Sequence, residues 1–263
     1  MSDTVLFSEQ NGVADVILNR PKAYNAFNLE MVQALARGLV ALAPRPSIRA
    51  VVISGAGPAF CAGGDLKWVS GFEDGPGAGF HNLAANFHQA ILEIRRMKKP
   101  VIAAISGVAA GGGFSLALAA DFRIMEENAI LRQAYTSSGL CIDGAGTFTL
   151  PRLVGLAKAL EIAAFDEPIA AEQALNLGLV TKVVPAGEAL PEARKMAREL
   201  SAKSVHAFAR VKALFNDSFG QTLETQMEQE RAALSACGDH PEGREGLAAF
   251  VAKRKPDFLN PES

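Results

Sequence analysis

The sequence is poor in cysteine and carries almost no net charge. Its three cysteines, Cys61, Cys141 and Cys237, are widely spaced and form no CxxC pair. This pattern argues against a disulfide framework or a structural zinc site and favours a reducing compartment, here the cytoplasm. The 26 Lys and Arg residues and the 28 Asp and Glu residues leave a net charge of −2, so the chain lacks the basic surplus of proteins that coat nucleic acid or anionic membranes. Segment 1–9 has acidic residues and no apolar stretch, unlike a secretory signal peptide.

The motifs of common cofactor and metal sites are absent as well. There is no GxGxxG dinucleotide fingerprint, no GxxxxGK(S/T) phosphate loop, no HExxH pair and no cluster of Cys and His. His81 and His88 lie seven residues apart on one predicted helix face, which is too far for a chelating pair. Together with His206 and His240 they are interpreted as surface or core residues, and no metal site is expected.

Length and composition indicate a globular chain with a large core. The 263 residues correspond to one or two domains, and 49% hydrophobic with 21% charged residues excludes extensive disorder. The 21 residues of Pro100–Ala120 carry no charge and match the length of a membrane span. Because Gly111–Gly113 interrupts this stretch, and each Gly weakens a helix by about 1 kcal/mol relative to Ala, it is predicted to be a buried strand, a glycine turn and a buried helix.

Strand and helix patterns alternate over the first 185 residues. Apolar runs predict strands at Val13–Leu18, Arg49–Ser54, Val101–Ile105 and Asp121–Met125. Helical spacing predicts helices at Leu29–Leu42 behind an Asn28 N-cap, at Phe80–Met97, at Phe114–Ala120 and from Asp143 to Leu150, with a loop over Gly71–Gly79. Such alternation is typical of an α/β fold whose sheets are mostly parallel and joined by helices.

The pattern changes at Gly187, after which only helices are predicted. They lie at Ala189–Leu200, Val205–Phe219, Leu223–Ala236 and Gly243–Lys253. We therefore divide the chain into a mixed core, residues 1–187, and a helical C-terminal region, residues 188–263. That region is too small to bury a core of its own, which predicts packing on neighbouring subunits.

Two glycine-rich turns are the candidate functional features. One is Ala62–Asp65 and the other is Gly111–Gly113, each between a strand and a helix. Glycine permits close approach of a ligand, and a helix N-terminus offers unpaired N–H groups with a partial positive charge. Two such amides can form an oxyanion hole on one carbonyl oxygen, each donor contributing about 3 kcal/mol to acyl chemistry. Two tight packing turns explain the pattern equally well.

A second alternative comes from Ser115. Gly113-Phe114-Ser115-Leu116-Ala117 approaches the GxSxG nucleophile elbow of serine hydrolases, but the second glycine is replaced by alanine. A serine hydrolase therefore stays an alternative with an incomplete motif.

The two turns belong to a set of motifs that resembles the crotonase, or enoyl-CoA hydratase/isomerase, superfamily. The matching segments run in order along nearly the whole chain: NRPKAYNA (19–26), FCAGGDLK (60–67), GVAAGGG (107–113), PRLVG (151–155), ALNLGLV (174–180) and FVAKRKP (250–256). The segment GLCIDGAG (139–146) is most similar to the 1,2-epoxyphenylacetyl-CoA isomerase branch of that superfamily.

The resemblance implies a fold, an assembly and a binding site. The fold is a spiral of repeated ββα units with a helical C-terminal region that assembles a homotrimer or a dimer of trimers. The substrate is an acyl-CoA thioester, so that coenzyme A enters with the substrate and no separate cofactor is needed; no nucleic acid or membrane partner is implied. The amides of Gly64 and Gly112 hold the thioester carbonyl. The remaining positions implied in substrate binding are Lys22, Ala23, Tyr24, Ala62, Asp65, Leu66, Lys67, Ser115 and Tyr135, with Phe250 and Lys253 reaching the coenzyme A of a neighbouring subunit.

The catalytic positions depart from the hydratase pattern. Hydratases of the superfamily carry glutamates at the positions of Ser115 and Tyr135, and neither side chain here is a useful base near pH 7. The resembling isomerase branch instead uses an aspartate at the position of Asp143. One carboxylate and an oxyanion hole suffice to move a double bond from the 3- to the 2-position, or to isomerise a ring epoxide. Enoyl-CoA isomerisation with Asp143 as acid and base is therefore favoured; a hydratase and a non-catalytic acyl-CoA binding protein are the alternatives.

Other acids have structural interpretations beside catalytic ones. Asp143 also suits the N-cap of a helix starting at Gly144, and Asp65 suits an N-cap better than a catalyst. Glu73 and Asp74 lie in the glycine-rich loop that borders the acyl pocket, where most acids are solvated.

Overall fold

The computed structural model describes residues 4–261 and forms two sheets surrounded by helices. The strands are β1 (Val5–Gln10), β2 (Val13–Leu18), β3 (Ala50–Gly55), β4 (Val101–Ile105), β5 (Val108–Ala110), β6 (Phe122–Glu126), β7 (Ile130–Arg132), β8 (Ile169–Ala170) and β9 (Lys182–Val184). The α-helices are α1 (Leu29–Leu42), α2 (Leu66–Ser70), α3 (Pro76–Arg96), α4 (Gly112–Ala119), α5 (Gly146–Val154), α6 (Leu156–Phe165), α7 (Ala171–Asn176), α8 (Ala189–Ser201), α9 (Val205–Asp217), α10 (Leu223–Asp239) and α11 (Pro241–Val251). Positions 1–3 of the segment assessed for a signal peptide lie outside the described residues.

The larger sheet has the strand order β1-β2-β3-β4-β6-β9, and the smaller one has the order β5-β7-β8. Pairing is parallel except between β1 and β2 and between β7 and β8. Consecutive strands β4 and β5, and then β6 and β7, contribute one strand to each sheet before the chain enters a helix. This alternation produces the predicted ββα repeat and confirms mostly parallel sheets.

Both faces of the larger sheet are buried, as expected for parallel strands with helices on each side. Along β3, Val51 and Ile53 face the main core with α1 and α3, whereas Ala50 and Val52 face a second core with α8. The inner strands β2, β3, β4 and β6 therefore read as continuous apolar runs, and the sequence predicts each of them.

The uncharged segment Pro100–Ala120 forms β4, β5 and α4, which confirms the predicted strand, turn and helix. Every residue of α4 is buried, so its apolar composition serves the protein core. Within residues 4–261 no helix is long and apolar enough to cross a membrane.

Local capping explains where the prediction of helices succeeds and where it is wrong. Asn28 caps α1 as expected, because its side chain accepts the amide hydrogen of Met31 at 3.0 Å. The predicted loop Gly71–Gly79 is too long, because Pro76 occupies the favoured first position of α3. The helix predicted from Asp143 begins only at Gly146.

The C-terminal region contains only helices, as predicted, but its parts differ in burial. In α8, Ala189, Ala193 and Ala197 pack on the second face of the larger sheet. The helices α9 to α11 instead leave large apolar side chains exposed, including Phe215, Phe219, Leu223, Leu234, Leu247 and Phe250. The domain border at residue 187 stays a prediction, and α8 packs across it.

Candidate active site

The first glycine turn is held between two neighbouring segments. The Phe27 amide donates to the Gly63 carbonyl at 2.7 Å, and the Asp65 amide donates to the Phe27 carbonyl at 2.8 Å. These two bonds form a parallel bridge between Phe27 and Gly64, so the amide of Gly64 itself faces away from Phe27.

The second glycine turn packs directly on the first. A Cβ atom at Gly63, where φ is +93°, would lie 2.9 Å from the Ala110 carbonyl oxygen and 3.1 Å from the Gly112 nitrogen. A Cβ atom at Gly113 would lie 2.1 Å from the Cys61 carbonyl oxygen. Only glycine fits such contacts, and we call Ala62–Asp65 and Gly111–Gly113 together the oxyanion turns.

The amides of Gly64 and Gly112 face one cavity. Gly112 opens α4, where no intrahelical acceptor exists for its N–H group. In the described part of the chain no protein acceptor takes the amide hydrogen of either glycine. Both residues line a cavity of about 400 Å³ with Phe27, Phe80, Leu83 and Phe87. Its volume and apolar walls suit an acyl group.

Within residues 4–261, Asp143 supplies the one carboxylate in the lining of this cavity. Its Oδ1 accepts a hydrogen bond from the hydroxyl of Tyr135. Burial and the neighbouring carboxylate raise the pKa of the Tyr135 phenol, which therefore stays protonated and donates. The phenol thus orients the carboxylate in its ionised form.

Ser115 binds the backbone of the segment that carries Asp143. Its side chain is fully buried, and its hydroxyl donates to the Asp143 backbone carbonyl at 2.8 Å. This geometry does not fit a hydrolase nucleophile, which requires a base as its partner. Ser115 is not among the residues that line the cavity, and its contact with a substrate stays a prediction. We call Asp143, Tyr135 and Ser115 the carboxylate cluster.

The interpretation of Asp143 as an N-cap is wrong. The helix that follows has Ala145 at its N-cap with φ of +60°, and no side chain caps it. The Asp143 carboxylate is free to face the cavity because the cap position falls two residues later. Glu73 and Asp74 are exposed and do not line the cavity.

His81 and His88 are exposed, as expected of surface residues, and both also contact the site. His81 lines the cavity, and His88 accepts the Gly144 amide hydrogen at its Nε2 over 3.3 Å. Both belong to α3, and their spacing of seven residues, which places them on one face, was the available signal. Because the fold brings that face against residue 143, no local motif identifies the contact.

The predicted coenzyme A positions Lys22–Tyr24, Ala62 and Lys67 lie at the first oxyanion turn, and we call this predicted binding surface the coenzyme A groove. The chain makes a 3-10 turn at Pro21–Ala23, and the Tyr24 carbonyl accepts the Ala62 amide hydrogen at 3.0 Å. Buried Asn25 fixes this turn, since its side-chain amide donates to the carbonyls of Ala56 at 2.9 Å and Ala59 at 2.7 Å. Lys22 is exposed, so the turn presents a cation as well as backbone groups.

Of residues 65–67, the first is bound by protein partners and the other two are exposed. Asp65 caps α2 as expected, accepting the Trp68 amide hydrogen at 3.2 Å, and it pairs with Arg20 at 2.9 Å. Leu66 and Lys67 are exposed. Asp65 is thereby occupied by protein partners, whereas Lys67 presents its ammonium group to solvent beside the groove.

Phe250 and Lys253 lie at the end of α11 and do not line the cavity. Phe250 is 83% exposed, which leaves its ring available to a neighbouring molecule. Their role at a second subunit stays a prediction.

Two further cavities lie beside α9 and contain neither oxyanion turn. One of about 390 Å³ includes Asp121, and one of about 680 Å³ includes Asp217. Asp121 is committed to structure, because it accepts from the Val101 amide at 2.9 Å and pairs with buried Lys212 at 2.7 Å. In residues 4–261 no group of three or more His, Cys, Asp and Glu side chains is placed to hold a metal ion. The cavity between the oxyanion turns and Asp143 is the one that combines both glycine turns with a carboxylate.

Its arrangement suits proton transfer next to a polarised carbonyl. Two unpaired amides can bind a carbonyl oxygen and the enolate that forms from it. One carboxylate can remove a proton and return it.

Comparison with known proteins agrees with this geometry. Residues 8–261 match the family model described as enoyl-CoA hydratase/isomerase. The chain is 35% identical to the 1,2-epoxyphenylacetyl-CoA isomerase of Escherichia coli (strain K12), over 98% of this chain and 99% of that protein. It is 32% identical to the crotonyl-CoA hydratase of Syntrophomonas wolfei, over 98% of both chains. A solved enoyl-CoA hydratase from Polaromonas sp. JS666 superposes with a TM-score of 0.92 at 38% identity, covering 96% of this chain and 98% of that one.

Proposed function

Because the chain belongs to the enoyl-CoA hydratase/isomerase family, the crotonase superfamily, we propose that it is an enoyl-CoA isomerase with Asp143 as its single acid and base. The observation that carries the proposal is that, among the residues that the structure describes, Asp143 provides the one carboxylate in the lining of the cavity that Gly64 and Gly112 also line. The E. coli relative named as an isomerase supports the same reaction class.

The proposed reaction starts with binding of the thioester carbonyl by the two amides. Their hydrogen bonds withdraw electron density and make the protons on the adjacent α-carbon more acidic. The Asp143 carboxylate takes one α-proton, and the negative charge spreads onto the carbonyl oxygen between the amides.

Proton return completes the shift. The protonated Asp143 delivers its proton to the γ-carbon, so that a 3-enoyl thioester becomes a 2-enoyl thioester. No atom is gained or lost, and no separate cofactor is needed. An aryl ring carrying an epoxide is the other substrate type proposed, since its isomerisation uses the same carboxylate and oxyanion hole.

The test compares Asp143→Asn with a matched control, Asp74→Asn. Purified protein is given a straight-chain and an aryl-substituted 3-enoyl-CoA, and formation of the 2-enoyl thioester is followed. General-base catalysis contributes about 10²- to 10⁴-fold, so we expect Asp143→Asn to lose that much turnover. Asp74 is exposed outside the cavity, and its variant keeps wild-type turnover. Full activity of Asp143→Asn would refute the proposal.

Hydration is the second candidate, because relatives are named as hydratases. Its observable is loss of enoyl absorbance when crotonyl-CoA takes up water. Water addition that survives in Asp143→Asn would establish this alternative. Tight binding of acyl-CoA without turnover of either substrate would establish the non-catalytic one.

A homotrimer or dimer of trimers is part of the proposal. Its support is the set of large apolar side chains exposed on the helices after α8, such as Phe215, Leu234 and Phe250. Exposed patches of this kind mark interfaces. Light scattering of the purified chain is expected to give three or six times the mass of one chain, and a monomer would contradict this prediction. The cytoplasmic location also stays a prediction.

A further inference from the structure

His88 contacts the segment that carries Asp143 at its backbone. The Gly144 amide donates to His88 Nε2 at 3.3 Å, and the same nitrogen lies 3.7 Å from Asp143 Oδ2. His88 Nε2 is therefore in contact with both the backbone and the carboxylate of this segment.

The backbone at this point is one that few residues adopt unaided. Gly144 has φ of +59° and Ala145 has φ of +60°, and consecutive left-handed residues are disfavoured in an L-chain. The segment is also tightly packed, because a Cβ atom at Gly144 would lie 2.4 Å from the Phe87 ring. Helix α3 therefore contacts the turn at two adjacent positions, by packing through Phe87 and by a hydrogen bond through His88.

Different residues bind the carboxylate, the carbonyl and the amide of the Asp143–Gly144 turn. Tyr135 binds the carboxylate of Asp143, Ser115 and the Gly146 amide bind its carbonyl, and His88 binds the next amide. The contact of His88 lies on the side of Oδ2, the carboxylate oxygen that Tyr135 leaves unoccupied. Loss of the His88 contact would leave the peptide between Asp143 and Gly144 held at its carbonyl alone and would free its amide end, next to that oxygen.

We propose that His88 is a positioning residue that holds the turn at Gly144 and thereby aims the Asp143 carboxylate into the cavity. The catalytic consequence rests on the proposed isomerase function, whereas the structural one does not. His88 acts through the backbone of its neighbour and has no contact with the reacting carbons.

Three variants of His88 separate the hydrogen bond from the ring. In His88→Gln the amide oxygen reaches the place of Nε2 and can accept from Gly144. In His88→Asn the side chain is too short to do so, and in His88→Leu there is no acceptor. Gln89→Leu is the matched control, because Gln89 is the adjacent exposed residue and bonds only along its own helix, to Glu93 at 3.1 Å.

Two measurements are made on the intact protein. Hydrogen exchange of the peptide that spans residues 140–146 is expected to accelerate in His88→Leu and His88→Asn, and to stay at the wild-type rate in His88→Gln and Gln89→Leu. With a 3-enoyl-CoA, we expect kcat of His88→Leu and His88→Asn to fall about tenfold, since small misplacements of a catalytic group are costly. KM stays constant because the oxyanion turns and the coenzyme A groove are untouched.

The outcomes distinguish the positioning role of His88 from the proposed isomerase function. Unchanged exchange over residues 140–146 in His88→Leu would overturn the positioning role, whatever the activity. A raised KM with constant kcat would overturn it as well, since it would place His88 in substrate binding. Faster exchange that His88→Gln reverses supports the positioning role even if wild-type protein isomerises no 3-enoyl-CoA, a result that would refute only the proposed function.

Discussion

The two sides of the cavity are built in different ways. On one side the oxyanion turns present backbone amides, and their positions are fixed by a bridge between Phe27 and Gly64 and by contacts that exclude any side chain at Gly113. On the other side the carboxylate cluster presents Tyr135 and Asp143 from irregular backbone between β7 and α5, and Ser115 of α4 binds this segment by a hydrogen bond. Binding geometry is therefore part of the fold, whereas the acid-base group depends on residues that the fold does not require.

This difference indicates where reaction type is decided. A change of side chain leaves the backbone N–H group in place unless the new residue is proline. The same two amides can therefore serve any reaction that passes through an enolate. At the positions of Ser115 and Tyr135, by contrast, a substitution changes the group that contacts Asp143. Family members named as isomerases and as hydratases are consistent with one binding scaffold that carries different acids and bases.

Apart from Asp143→Asn, the largest effect is expected when the backbone side loses a donor. Gly112→Pro removes the N–H group at the first position of α4, where proline is otherwise well tolerated. Loss of one oxyanion donor costs about 10²- to 10³-fold in turnover, and we expect that fall in kcat for a 3-enoyl-CoA.

Gly112→Ala is the matched control for this change. It adds the same Cβ atom, 3.2 Å from the Phe27 ring, but keeps the N–H group. Equal losses in the two variants would assign the effect to crowding and would remove the amide of Gly112 from the oxyanion hole.

A smaller effect is expected from the side-chain half in Tyr135→Phe. The phenol stabilises the ionised carboxylate by a hydrogen bond, and hydrogen bonds to charged groups contribute about 1.5–3 kcal/mol. We expect kcat to fall about tenfold. The fall is expected because the carboxylate loses the hydrogen bond that holds its Oδ1 in place.

The second tyrosine provides the comparison. Tyr24 is exposed beside the coenzyme A groove, and Tyr24→Phe is expected to keep the wild-type kcat. A wild-type kcat in Tyr135→Phe would mean that the hydrogen bond from the phenol does not hold the Asp143 carboxylate in place.

The smallest effect is expected from thiol labelling, which changes no residue. Burial raises the pKa of Cys61, beside the first oxyanion turn, to about 12, so at pH 9 about one thiol in a thousand is ionised. Cys141 is exposed and lines the cavity near Asp143. A maleimide is expected to label Cys141 and leave Cys61 free, to lower turnover a few-fold, and to react more slowly in the presence of acyl-CoA. Peptide mass spectrometry decides this, and labelling of native Cys61 would contradict a rigid first turn.

The sequence predicts the backbone half of the site better than the side-chain half. Glycine turns, buried strands and the motif around Gly64 are local patterns, and the structure places them as expected. The contact of His88 depends on how α3 packs against the turn at Gly144, so nothing in the residues around either position indicates it. The N-cap interpretation of Asp143 is wrong because Ala145, with its left-handed conformation, delays the helix by two residues.

Edge elements escape sequence prediction for a related reason. Strand β1 has one buried residue, Val5, followed by five exposed ones. It is held by antiparallel pairing with β2 and shows no alternation of apolar and polar side chains. The start of α3 at Pro76 was missed because the glycines around it are typical of loops.

The complete burial of α4 has a consequence for the behaviour of the protein in salt. Mobile ions screen charges that water reaches, over about 8 Å at physiological ionic strength. No side of α4 is open to solvent, so the partial positive charge at its N-terminus acts on a bound carbonyl through protein of low polarity. Lys22 and Lys67 are exposed, so added salt screens their charges and is expected to weaken their attraction for phosphate groups. Ionic strength therefore acts on the capture of the substrate and leaves its polarisation nearly constant.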